Sequence, residues 1–60
     1  MNGGNDMTKY MVITVLFGET KVNWCESLEE ATTLHKEAVL NNNYCEVYKR
    51  TSKGYTMILD

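Results

Sequence analysis

Apolar and polar positions alternate along this chain with two different periods, which together predict four strands and one helix. A period of two in segments rich in β-branched and aromatic residues is typical of strands, and a repeat every three to four residues is typical of an amphipathic helix. The predicted elements, in chain order, are strands over 8–17 and 21–25, a helix after Ser27, and strands over 44–51 and 55–59. The order ββαββ indicates an α+β domain.

Both ends of the helix are marked in the sequence. Ser27 and Glu30 match a capping box, in which the Ser27 hydroxyl accepts from the amide of Glu30 and the Glu30 carboxylate accepts from the amide of Ser27. Three asparagines at 41–43 follow the last apolar position, and Asn tolerates the left-handed conformation that ends helices. One arc of the helix is predicted to pack on the sheet: Leu28, Ala31, Leu34, His35, Ala38 and Val39.

The first strand is apolar on both faces, so it is predicted to be a central strand. A helix that joins the second strand to the third favours a right-handed crossover, which leaves room for the first strand between them. We therefore predict a four-stranded antiparallel sheet of order 2-1-3-4 with the single helix packed on one face. On this arrangement Val22 and Trp24 are expected beneath the helix, and Tyr10, Val12 and Leu16 on the uncovered face.

Length and composition place the chain among small globular proteins. Residues 8–60 are predicted to form a single domain after a flexible tail over 1–7, in which Met7 is an alternative start. The apolar run over 11–17 is far shorter than the roughly 20 residues that a membrane span needs. Because the first residues also lack the basic segment of a secretory signal, a cytoplasmic location without membrane association is expected.

Cys25, His35 and Cys45 are the residues that could begin a metal site or a thiol chemistry. The helix between the two cysteines should hold them some 20 Å apart, given a rise of roughly 1.5 Å per residue, whereas a disulfide needs Cα atoms within about 7 Å. Structural zinc sites use four ligands, commonly in close Cys pairs, and the chain has no such pair. We expect two free thiols, a His35 packed at the edge of the helix–sheet interface, and neither a metal, a cofactor nor enzymatic activity.

Basic and aromatic residues interleave over 48–55, on the predicted hairpin of the last two strands. Such a surface could stack bases and neutralise phosphates, so a small RNA- or DNA-binding regulator is one interpretation. The formal net charge of -2 gives no general attraction to nucleic acid, and a basic hairpin also suits an acidic protein partner.

The leading hypothesis is a non-enzymatic protein-binding module that uses the uncovered sheet face and this hairpin. Uncovered apolar faces mark partner sites, and Trp and Tyr dominate the energetics of interfaces. The predicted partner-binding residues are Tyr10, Val12, Leu16, Tyr48, Lys49, Arg50, Lys53 and Tyr55.

The predicted partner is a host protein. Residues with AT-rich codons, such as Asn, Lys and Tyr, are abundant in this short chain, which fits a phage or mobile-element protein. Such a protein would inhibit or redirect its target, for example a defence-system enzyme, by steric occlusion in the host cytosol. Because a chain of this size has a thin core and often recruits a partner chain, the free protein is expected to be a homodimer.

Overall fold

The computed structural model describes residues 9–60, and its elements follow the predicted order. They are strands β1 (Tyr10–Leu16) and β2 (Glu19–Cys25), helix α1 (Leu28–Leu40), and strands β3 (Tyr44–Thr51) and β4 (Gly54–Leu59). The strands form one antiparallel sheet of order β2-β1-β3-β4 with α1 packed on it, which confirms the predicted α+β fold and strand order. The predicted tail over 1–7 and the first predicted strand residue, Thr8, lie outside the described residues.

Local hydrogen bonds set the ends of α1. The Ser27 hydroxyl accepts from the amide of Glu30 at 3.1 Å, as the capping box predicts. The Glu30 carboxylate accepts from the amide of Glu26, at 3.3 Å, instead of that of Ser27. At the other end, Asn42 has a φ of 58°, the left-handed conformation that lets the chain leave the helix and enter β3.

The core lies between α1 and the two central strands. Its buried residues are Val12, Cys25, Ala31, Ala38, Cys45 and Val47. Val12 and Val47 are opposite each other on β1 and β3, and both are 0% exposed. The two alanines of α1 let the helix approach the sheet closely, as dense packing requires.

The two faces of the sheet are exchanged relative to the sequence prediction. Val12 is buried beneath α1, and Tyr10 and Leu16 lie on the same face, half-buried. Trp24 and Val22, which are predicted to lie under the helix, are on the opposite face and are 52% and 46% exposed. The predicted placement of all five residues is therefore wrong.

Side-chain size explains which face α1 covers. The helix presents Ala31 and Ala38 to the sheet, and the buried strand residues beneath it are small: Val12, Cys25, Cys45 and Val47. The opposite face carries bulky aromatic side chains, which would hold a helix further from the strands. Close packing therefore favours the small-residue face, although both faces of β1 are apolar.

The hairpin between β1 and β2 turns through Phe17 and Gly18, whose φ angles are 53° and 79°. Positive φ at both positions is the signature of a type I′ turn, which prefers Asn followed by Gly. A left-handed conformation costs an ordinary residue about 1–2 kcal/mol. The Phe17 side chain is 95% exposed, so no burial against residues 9–60 offsets that cost.

Replacing Phe17 with Asn is expected to raise the free energy of unfolding by about 1 kcal/mol, because Asn adopts the left-handed conformation more readily. A urea melt of the variant and the natural protein measures the change. Phe17→Ala is the control, since it removes the same ring without adding a turn preference. Equal stabilities of the Asn and Ala variants would show that this turn position carries no strain.

Candidate functional site

One face of the sheet is covered by no element in the described part of the chain. The registers of the strand pairs place the odd-numbered residues of β1 on the same face of the sheet as every second residue of β2, β3 and β4. We call this surface the open face, and its residues are Met11, Ile13, Val15, Thr20, Val22, Trp24, Tyr44, Glu46, Tyr48, Arg50, Tyr55 and Met57.

Aromatic and apolar side chains dominate the open face. Those more than two fifths exposed are Val22, Trp24, Tyr44, Tyr55 and Met57. Trp24 and Tyr55 belong to the two edge strands, yet their ring centroids are 6.2 Å apart with the planes inclined at 49°. Tilted aromatic pairs at this separation attract each other beyond their burial, so the two edges of the sheet are joined across its centre.

A carboxylate lies in the middle of the open face. Glu46 is half-buried beside Ile13, and its carboxylate accepts hydrogen bonds from two hydroxyls, those of Tyr44 and, at 2.7 Å, Tyr48. The hydrogen bond to Glu46 raises the pKa of Tyr48, and the negative charges of Glu46 and Asp60 raise it further. Two tyrosines therefore hold one negative charge in place within an apolar surface.

The raised pKa of Tyr48 predicts a loss of stability in alkali. Folding favours its protonated form, so this contribution to stability is present below pH 10.0 and is lost as the pH rises through the raised value. Tyr48→Phe is expected to remove a component that titrates above pH 10.0 from the phenolate absorbance curve. Tyr55→Phe leaves the hydrogen bond between Tyr48 and Glu46 intact and should keep that component. Loss of the same component in both variants would contradict the assignment.

Basic charge collects at one end of the open face. Extending the register of β1 and β3 by one residue places Lys9 opposite Arg50, and the Arg50 amide donates to the Lys9 carbonyl at 2.8 Å. Like charges directly opposite each other on one face of a sheet are unfavourable by themselves. The open face therefore has a basic end at Lys9 and Arg50, separated by Tyr48 from the carboxylate of Glu46.

The structure brings together three of the eight predicted binding residues, since Tyr48, Arg50 and Tyr55 share the open face. The other five lie on the helix side of the sheet or in the turn between β3 and β4: Tyr10, Val12, Leu16, Lys49 and Lys53. Sequence reasoning missed Trp24 and Glu46 as members of this surface. The available signal for Trp24 was the hairpin register, which pairs it with Met11.

The thiols and the histidine lie away from the open face. Cys25 and Cys45 are free and buried on the helix side, and burial raises the pKa of both thiols, with the charge of Glu30 adding to the effect on Cys25. The register places them four residues apart along β1 and on opposite sides of it, about 16 Å from each other by strand geometry. His35 is half-buried, and its Nε2 atom is buried without a hydrogen-bond partner in the described part of the chain.

Within residues 9–60, no group of three or more His, Cys, Asp or Glu side chains is placed to hold a metal ion. No helix in this range has the length and apolar character that a membrane crossing requires. Comparison with known proteins found no matching family model, no matching curated protein and no matching solved structure. The open face is therefore the candidate site, and its chemistry is apolar contact, aromatic stacking and hydrogen bonding to a fixed carboxylate.

Proposed function

We propose that this chain is a non-enzymatic protein-binding module that covers a site on another protein with its open face. The observation that carries the proposal is the exposure of Trp24, Tyr55 and their apolar neighbours on one continuous sheet surface. Trp and Tyr are enriched among the few residues that carry most of the binding energy at protein interfaces, and contiguous apolar patches mark such sites. A surface of this kind inhibits by steric occlusion, because a bound domain excludes other molecules from the area it covers.

The carboxylate of Glu46 favours a protein partner over a nucleic acid. A negative charge in the middle of the face repels phosphates, whereas a Lys or Arg of a partner protein could pair with it. The hydrogen bonds from Tyr44 and Tyr48 fix the carboxylate, which makes such a pair specific in position. The partner chemistry that fits is an apolar surface with a basic side chain near its centre.

We propose that the chain comes from a phage or mobile element and that its target is a protein of the host cell. Defence-system enzymes are one class of such targets. Support for this source is the abundance of Asn, Lys and Tyr, residues with AT-rich codons, in a short chain. The alternative, an RNA- or DNA-binding regulator, is supported by Lys9 and Arg50 beside aromatic rings.

Site-specific photo-crosslinking tests the proposal. Benzoylphenylalanine replaces Tyr55 on the open face, and the same residue replaces Thr33, exposed on the outer side of α1, as the matched control. In nuclease-treated lysate of the source cell, position 55 is expected to crosslink to one protein other than a second copy of this chain, and position 33 to none. Crosslinks to RNA or DNA in untreated lysate would support the alternative, and equal protein crosslinking from both positions would contradict the proposal.

A further inference from the structure

We infer that, in the free protein, a second copy of this chain covers the open face, with the two β3 strands antiparallel and crossing at Tyr48. This inference goes beyond target binding and needs no target. It rests on the order of charges along β3, on the apolar row that runs across the sheet, and on the area of the face.

The charges of β3 complement themselves under a two-fold rotation. Glu46 and Arg50 lie on the open face two residues to either side of Tyr48, each about 7 Å from it along the strand. A two-fold axis between the two sheets, perpendicular to the strands at the level of Tyr48, places Glu46 of each copy opposite Arg50 of the other. With parallel strands, by contrast, like charges would face each other, so the charges select the antiparallel orientation.

The twist of packed sheets preserves this pairing. The strands of two aligned, packed sheets cross at about 30°. This crossing displaces a residue about 7 Å from the axis sideways by roughly 4 Å relative to its counterpart in the other copy. An Arg side chain spans that distance. Lys9, which lies beside Arg50, adds a second basic group near Glu46 of the other copy. Asp60, whose charge acts on Tyr48, adds a negative one on the acidic side.

An apolar row lies on the proposed axis. The strand registers align four side chains across the sheet from edge to edge: Trp24, Met11, Tyr48 and Met57. In the dimer this row packs against its own copy, with the charged positions on either side of it. An apolar centre flanked by paired charges is the usual anatomy of a specific interface.

The size of the open face suits a dimer of this kind. Four strands spaced about 4.8 Å apart, each rising about 3.3 Å per residue over seven residues, present a face of roughly 19 by 23 Å. Two such faces bury on the order of 900 Å² in total, the area of a weak and reversible interface.

Charge reversal and its rescue by mixing test the inference on the purified protein. Glu46→Arg sets Arg against Arg, and Arg50→Glu sets Glu against Glu, so each variant is expected to self-associate at least ten-fold more weakly. Mixed in equal amounts, the two variants regain both opposite-charge pairs and should form a heterodimer of twice 6.9 kDa. The double variant Glu46→Arg with Arg50→Glu should form a homodimer again. Sedimentation equilibrium measures the masses.

Two controls separate loss of the interface from a general effect of charge reversal and from unfolding. Glu29→Lys, a charge reversal on the exposed side of α1, should leave the dimer unchanged, and circular dichroism checks that each variant is folded. If a reversal unfolds the chain, Glu46→Gln and Arg50→Gln replace it. Each should weaken the dimer, and mixing the two should restore one of the two Glu46–Arg50 pairs and so rescue the dimer in part.

A natural protein that sediments as a single chain at millimolar concentration overturns the inference. Single reversals that dimerise as tightly as the natural protein, or folded variants that stay monomeric after mixing, overturn it as well. A monomeric natural protein that still crosslinks a target from position 55 would leave the proposed function standing. Conversely, a dimer that is the sole crosslinked product would support the inference and contradict the proposed function.

Discussion

Replacing Val12 with Asp is expected to unfold the domain, whereas Val22→Asp should leave it folded. Val12 is 0% exposed between Val47 and the helix, so a carboxylate there would be buried without a partner. The expected loss is about 3–5 kcal/mol, against a total stability of roughly 3–9 kcal/mol for a chain of this length. Val22 is 46% exposed on the open face, where a carboxylate keeps most of its water.

Circular dichroism and a urea melt of both variants measure the difference. The comparison tests which face of β1 the helix covers, because the two valines lie on opposite faces of the sheet. A folded Val12→Asp protein together with an unfolded Val22→Asp protein would place the helix on the other face and remove the basis of the open face.

Replacing Trp24 with Ala is expected to weaken self-association by at least about 30-fold, the loss typical of an interface hot spot. Trp24 lies on the apolar row at the proposed axis and contacts Tyr55, so its loss removes area from the centre of the interface. The free energy of unfolding should fall by less than about 1 kcal/mol, since the ring is 52% exposed and lies outside the core.

Sedimentation equilibrium and a thermal melt separate these two effects. Leu40→Ala is the matched control, because Leu40 is a large apolar residue, 82% exposed at the end of α1. It should leave the dimer unchanged. Equal weakening by both substitutions would indicate general hydrophobic association instead of a defined interface.

The helix and the strand order could be predicted because the sequence signals for them are local. Ser27 and Glu30 mark the start of α1, and the hydrogen bond between the Ser27 hydroxyl and the Glu30 amide is present in the structure. The asparagines at 41–43 mark its end, where Asn42 takes the left-handed conformation. The order 2-1-3-4 followed from the hand of the crossover, which depends on backbone geometry and not on any particular residue.

The face that α1 covers could not be predicted in the same way. Both faces of β1 are apolar, so alternation leaves the choice open, and the register of the first hairpin decides it. A two-residue loop at Phe17 and Gly18 pairs Met11 with Trp24, but Phe at the first loop position hides the usual Asn-Gly signal. The sequence prediction began the second strand at Lys21, which implied a longer loop and left the pairing undetermined.

The central carboxylate was equally hidden from the sequence. Alternation along β3 indicates that Glu46 lies on the same face as Tyr44 and Tyr48. It does not indicate that the hydroxyls of these two tyrosines both donate to the Glu46 carboxylate. These bonds turn an acidic residue of a strand into a fixed charge within an apolar face. Together with Arg50, this charge makes the open face negative on one side of Tyr48 and positive on the other.

The open face follows from the architecture of so small a domain. One helix can cover one side of a four-stranded sheet, and here it packs on the side with small residues. Within residues 9–60, no second layer covers the bulky residues of the other side. Binding to a second molecule, as proposed above, would supply that layer.

The fluorescence of Trp24 measures most directly whether the open face is the surface that becomes covered. Trp24 is the single Trp of the chain and lies on that face, about half exposed. As the concentration of the natural protein rises, its emission is expected to move to shorter wavelength and its quenching by acrylamide to fall. Glu46→Arg, held monomeric, should show neither change over the same range. A Trp24 that stays equally accessible while the sedimented mass doubles would contradict the account, because the chains would then associate through another surface.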